Sequence, residues 1–112
     1  MDKLEKYRSC IRQLLDEYAS YKSSYDKDVE SDVITDTEHD HYQLMRIGWH
    51  QKRRIHGCVM HIDIRNGKVW IQHNGTDRRI AEELFAMGIP RDEIVLGFQP
   101  PYMRQYTEYA AA

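Results

Sequence analysis

The amino-acid sequence predicts an α+β fold: an antiparallel β-meander of about four strands, with an N-terminal amphipathic helix and a second helix packed on it, in a single two-layer domain spanning residues 1–112. Asn66-Gly67 lies between two alternating stretches of YQLMRIGWHQKRRIHGCVMHIDIRNGKVWIQHNG, residues 42–75. That dipeptide supplies the two positive-φ positions of a type I′ hairpin turn. A turn centred on Gln51-Lys52 sets a compatible register for the preceding strand. Ahead of both, apolar side chains recur at spacings of three and four, the period of a helix with one buried face.

The helix comes first in the chain. Leu4, Tyr7, Ile11, Leu14, Tyr18, Tyr21 and Tyr25 form its stripe, Leu15 widens it, and Asp2 with Glu5 three residues later resembles a capping box. The same spacing suits a heptad seam, which keeps a homo-oligomer open. Four tyrosines among the seven seam positions are bulky for two-stranded packing, so the stripe is assigned to the sheet. The polar segment from Ser20 to Asp28 reads as a mobile connection, and a weakly patterned strand follows over Val29 to Asp36.

Counting back from Asn66-Gly67 pairs Ile64 with Val69, Asp63 with Trp70, Ile62 with Ile71, His61 with Gln72 and Met60 with His73. Met60, Ile62, Ile64, Val69 and Ile71 then share a greasy face, and Val59, His61, Asp63, Trp70 and Gln72 share a mixed one. The Gln51-Lys52 turn sets Trp49 opposite Arg54, Ile47 opposite His56 and Met45 opposite Cys58, which assigns Met45, Ile47, Trp49 and Cys58 to the greasy face. Thr76 is the expected N-cap of a second helix over Asp77 to Met87, ended by Gly88 and Pro90. Ile94 to Phe98 reads as extended and buried, and Pro101 opens a short helical turn containing Tyr102 and Tyr106.

Composition narrows the function classes. The net charge of −2 gives no overall attraction to nucleic acid. Lys52, Arg53 and Arg54 at one hairpin tip and Arg78 with Arg79 near a helix start are accounted for by solvated charge, with phosphate contact by Arg53, Arg54, Arg78 and Arg79 as the alternative. The N-terminal residues are charged and no apolar run is long enough to span a bilayer, so a cytoplasmic protein is expected. Cys10 and Cys58 are read as buried thiols.

No GxSxG, Walker, GxGxxG, HExxH or paired CxxC motif occurs, so no catalytic residue or cofactor is assigned. The stretch Asp36-Thr37-Glu38-His39-Asp40-His41 is rich in ligand-type residues, but neighbours in a turn converge poorly on one ion. It is read as an acidic hairpin loop, with no metal site. His61 and Asp63 share a face beside Trp70 and Gln72, where a His-Asp pair is capable of acid–base work. With no nucleophile or cleft in the pattern, these four residues are assigned instead to a partner-binding patch, with Trp70 either its centre or covered by the C-terminal segment.

YQLMRIGW, RRIHGCVMHIDI, NGKVWIQHNGT and GIPRDEIVLGFQPPYMRQYTEYA, in that order, resemble the XisI family, whose members are called fdxN element excision controlling factors. The likeness covers nearly the whole chain and is densest from Asp36 onward. The chain departs from the family pattern at His50-Gln51, where an Asp-Gly type turn is common, and at Asn74, where Asp usually precedes Gly75-Thr76. The resemblance implies a cyanobacterial regulatory protein needed for programmed DNA excision during heterocyst development. It implies action beside a XisH-like protein and a separate recombinase, reaching the recombinase–DNA complex only indirectly, and no catalytic motif of its own.

Overall fold

The computed structural model describes residues 2–21 and 27–112. Helix α1, Lys3–Ala19, begins where the Asp2 carboxylate accepts the Glu5 N–H at 2.8 Å. Its stripe is buried through Tyr7, Cys10, Ile11, Leu14, Leu15 and Tyr18 and packs into the core against the sheet, as expected. Tyr21 is exposed, whereas Tyr25 and most of the expected Ser20–Asp28 connection lie outside the described residues.

Strands β1 (Val29–Asp36), β2 (His41–His50), β3 (Arg53–Arg65) and β4 (Lys68–Asn74) form the antiparallel meander. The sheet has a fifth strand beyond the four expected: β5, Ile94–Leu96, lies parallel to β4 and gives the order β1-β2-β3-β4-β5. The first three residues of the expected 94–98 segment are thus a sheet member, carried to their parallel position by the crossover through helix α2, Ile80–Ala86, whereas Phe98, expected to be buried, follows the strand in a turn and is 50% exposed. β1 forms the opposite edge.

Asn66 and Gly67 both have positive φ, 53° and 77°, as a type I′ turn requires. Close to that turn the expected pairs are present, with Ile64 opposite Val69, Asp63 opposite Trp70 and Ile62 opposite Ile71. Farther out the register shifts. His61 faces His73 and Met60 faces Asn74, so the expected His61–Gln72 and Met60–His73 pairs do not form. Gln72 is the extra residue of a β-bulge.

A second bulge corrects the assignment of faces. Leu44 pairs with Met60 and Met45 with Cys58, which leaves Val59 as the extra residue on β3. The Val59 carbonyl is taken instead by the Gly75 N–H at 2.7 Å. Because β2 itself runs on without interruption, Tyr42 and Leu44 face the core with Met60 and Ile62, while Met45, Ile47 and Trp49 fall on the opposite side. Those three do not extend the greasy face. Trp49 is 50% exposed, and Cys58, expected in the core, is half-buried opposite Met45. Gly48 lies where a Cβ would come within 2.1 Å of the Asp28 carbonyl oxygen, so only glycine admits the close approach of the chain entering β1.

The second helix starts later than expected. The Asn74 side-chain Oδ1 accepts from the Thr76 N–H and hydroxyl, and its Nδ2 donates to the Arg78 carbonyl at 2.9 Å, holding residues 74–78 as a bend. An aspartate has no N–H for that last bond, which is the local consequence of Asn at this position. Thr76 accepts the Arg78 N–H, and α2 begins only at Ile80. Gly88, with φ of 109°, ends it, and the Ile89 N–H returns to the Leu84 carbonyl. Helix α3, Pro101–Arg104, contains Tyr102, with Tyr106 beyond its end.

A polar tie joins the two layers beside their apolar core. Arg8 on α1 donates through Nε and NH2 to the two Asp40 oxygens at 2.8 and 3.2 Å, and the Tyr42 hydroxyl donates to Asp40 at 2.9 Å. The hydrogen bonds from Arg8 are the main cause of a lowered Asp40 pKa. A depressed carboxylate contributes stability above its unfolded value of about 3.9 and loses it as pH falls through the folded value. Asp40→Asn should therefore lower the urea midpoint at pH 7, with the deficit closing as the pH is taken well below about 4. The face assignment has its own check: Ile62→Ala should cost about 2–5 kcal/mol in urea unfolding, whereas Trp49→Ala should cost less than about 1 kcal/mol.

Candidate functional site

The Asn66-Gly67 register sets Asp63 at the centre of a cross on the outer sheet face. His41 on β2 and Trp70 on β4 lie directly across from it, and His61 and Arg65 are its same-face neighbours along β3. The Asp63 carboxylate is fully buried although it points away from the main core. His41 Nδ1 lies 2.8 Å and His61 Nε2 2.7 Å from its Oδ1, while Gln72 Nε2 lies 3.2 Å and Arg65 NH2 3.3 Å from its Oδ2. Burial alone pushes this carboxyl up and is the largest single effect. Hydrogen bonds from His41, His61 and Gln72 outweigh it together and hold the pKa below the usual value.

Each partner has a local structural cause. The β-bulge turns the Gln72 side chain to Asp63, and it lies against Gly97, where a Cβ would come within 2.5 Å of Oε1. His41 follows the acidic loop, in which Asp36 accepts the Glu38 and His39 N–H groups at 3.0 Å. The His39 and His41 rings stack at 6.4 Å, and those of His41 and His61 meet edge-on at 6.3 Å. His41, Gln43 and His61 line a shallow depression with Ile34 and Asp36.

Trp70 is half-buried. Arg104 of α3 lies over its ring at 5.1 Å and Arg65 at 6.0 Å, so the C-terminal segment covers part of it. Its indole N–H is buried with no hydrogen-bond partner among the described residues. The four patch residues do come together, but as a buried acid ringed by donors rather than as four exposed contacts. Sequence reasoning missed two components. His41 was absorbed into the acidic loop, although the Gln51-Lys52 turn, counted back through the bulge, sets it opposite Asp63. The outer apolar stretch of Ile34, Met45, Ile47 and Trp49 was hidden by the same bulge; Ile34 and Trp49 are about half exposed.

The basic residues do not gather into one surface. Arg53 and Arg54 line a depression at the β2–β3 turn, where Arg54 lies over the Trp49 ring at 5.4 Å. Arg78 and Arg79 line a separate one beside α2, with Arg78 near Glu83 at 3.4 Å. No helix among the described residues is long and apolar enough to cross a membrane.

These features define a small α+β protein with α1 and α2 on one sheet face and a polar-centred, partly apolar surface on the other, which α3 overlaps at Trp70. The chain belongs to the XisI family: the family model described as XisI protein matches residues 1–111. A XisI-like protein from Anabaena variabilis ATCC 29413 is 54% identical, with a TM-score of 0.90 over 97% of this chain and 99% of that one. The fdxN element excision controlling factor XisI from the same organism is 35% identical, with a TM-score of 0.84 over 99% of this chain and 100% of that one. No curated protein matches the chain.

Asp63 gathers its donors without reaching solvent, so its removal leaves them unmatched. Asp63→Ala should cost about 1–3 kcal/mol in urea unfolding. The partly exposed imidazoles recover water and keep the loss below that of a sealed ion pair.

Proposed function

We propose that the chain is a non-enzymatic control protein for programmed excision of a DNA element of the fdxN type, or of a related element, acting by docking onto a XisH-like protein. The observation that carries the docking mode is the open outer sheet face. Ile34, Met45, Ile47 and Trp49 form an apolar stretch beside the polar cluster of His41, His61, Asp63 and Gln72, with Trp70 at its far side. A large aromatic group in an apolar patch rimmed by polar groups is the composition of protein-binding hot spots. The controlling role rests on the family and on the name borne by the 35%-identical relative.

In this reading Asp63 is a support and not a contact. It holds His41 and His61 in fixed positions, so the polar part of the face meets a partner already ordered, which reduces the entropy cost of association. Strand cutting and rejoining belong to a separate recombinase, and this protein acts on it through its partner.

The test is co-purification of this chain with a XisH-like protein, followed by affinity measurement on variants. Trp49→Ala and Trp70→Ala should each weaken the complex by about tenfold or more while leaving the circular dichroism spectrum unchanged. Failure of the two proteins to associate at micromolar concentration would sink the docking reading. A low-salt gel shift abolished by replacing Arg53, Arg54, Arg78 and Arg79, and falling steeply with added salt, would favour direct DNA binding in its place.

A further inference from the structure

We infer that His41, His61 and Asp63 form a binding site for a divalent transition-metal ion of the zinc type. Their ligand atoms, one nitrogen from each imidazole and one carboxylate oxygen, all lie within 4.8 Å of one another. A Zn²⁺ ion sits about 2.0–2.2 Å from such donors, so rotations of the partly exposed imidazoles bring this set to bonding distance without moving the sheet. Two imidazoles and a carboxylate are the donor mixture suited to zinc, nickel, cobalt or iron(II), and a poor match for magnesium or calcium, which prefer oxygen.

The surroundings are built as the outer shell of a metal site is built. Asp63 Oδ2 is held by Gln72 at 3.2 Å and Arg65 at 3.3 Å, which fixes the carboxylate plane and leaves Oδ1 directed at the two imidazoles. All three ligands stand on paired strands: His41 is the cross-strand partner of Asp63, and His61 precedes it by two on the same face. Their positions are therefore set by sheet register rather than by a loop. Asp36 lines the same depression as His41 and His61 and adds a negative charge there. Each imidazole presents a lone pair to the ion once its proton resides on its other nitrogen, Nε2 for His41 and Nδ1 for His61. The ion then replaces two N–H donors on Asp63, so the carboxylate keeps its neutralisation. The side facing the depression leaves coordination positions for water or for one side chain of another molecule. Metal binding does not depend on the docking reading, because it uses this chain alone.

Isothermal titration of the metal-free full chain with Zn²⁺ should show one ion per chain, together with a rise in thermal midpoint. His41→Ala and His61→Ala should each weaken binding by about tenfold or more, and His56→Ala, elsewhere on β3, should leave it unchanged. His41→Gln and His61→Gln keep an amide N–H for Asp63 and should fold normally while losing Zn²⁺ affinity, which separates ligation from structural support. Saturable binding weaker than about 0.1 mM, or equal loss in the His56→Ala control, would overturn the site.

Discussion

The arrangement of this protein depends on one geometric constraint, the two-residue period of a strand and the single place on β3 where an extra residue breaks it. Val59 is that residue. On the turn-proximal side of it, β3 and β2 present Met60, Ile62, Tyr42 and Leu44 to α1, and the core closes around them. On the other side, β2 continues its own alternation and carries Met45, Ile47 and Trp49 to the outer face. One inserted residue on β3 thus decides that Tyr42 and Leu44 lie in the core while Met45, Ile47 and Trp49 lie on the outer face. Without the extra residue the same alternation of β2 would turn Met45, Ile47 and Trp49 to the core side and send Tyr42 and Leu44 outward.

The polar cluster is the counterpart of that division. A carboxylate shut away from water is unfavourable unless polar partners replace its hydration, and Asp63 has hydrogen bonds from His41, His61 and Gln72 and an ion pair with Arg65. The same four donors are thereby held still. Trp70 completes the row across β3 and β4, with Arg65 and Arg104 both against its ring, so the C-terminal helix is joined to the cluster through Arg104. Anything that binds over Trp70 also meets the segment that follows β5.

Much of the fold was legible from short-range patterns. The spacing of Tyr7, Ile11, Leu14 and Tyr18 identified the helix and its buried face, and Asn66-Gly67 located the hairpin with its first three pairs. Turn chemistry of that kind is local and survives any tertiary context. The bulges at Val59 and Gln72 were not legible, because an extra residue changes no composition. The displacement appears only when two strands are laid side by side. The grouping of His61, Asp63, Trp70 and Gln72 followed from alternation and is present, as are the expected Trp49–Arg54, Ile47–His56 and Met45–Cys58 pairs, but His41 lies beyond the bulge and is read from sequence as part of its loop. The short fifth strand was read as extended without a partner, since three residues carry too little pattern to announce parallel pairing. The late start of α2 reflects side-chain bonds of Asn74 that compete with helix for the same backbone groups.

The two edges of the sheet are unlike. Beyond β4 the sheet continues into β5, and Ala110 bridges to Val95 on its far side, so that margin is closed by the chain itself. The other margin is β1, whose sequence VESDVITD places Glu30, Asp32 and Asp36 along an outermost strand. A second β1 laid against it would bring carboxylates beside carboxylates as its backbone bonds formed, and charged edge strands of this kind resist such pairing. The molecule therefore carries a directional insulation: it can be approached on its broad outer face without being extended, strand by strand, into a continuous ribbon.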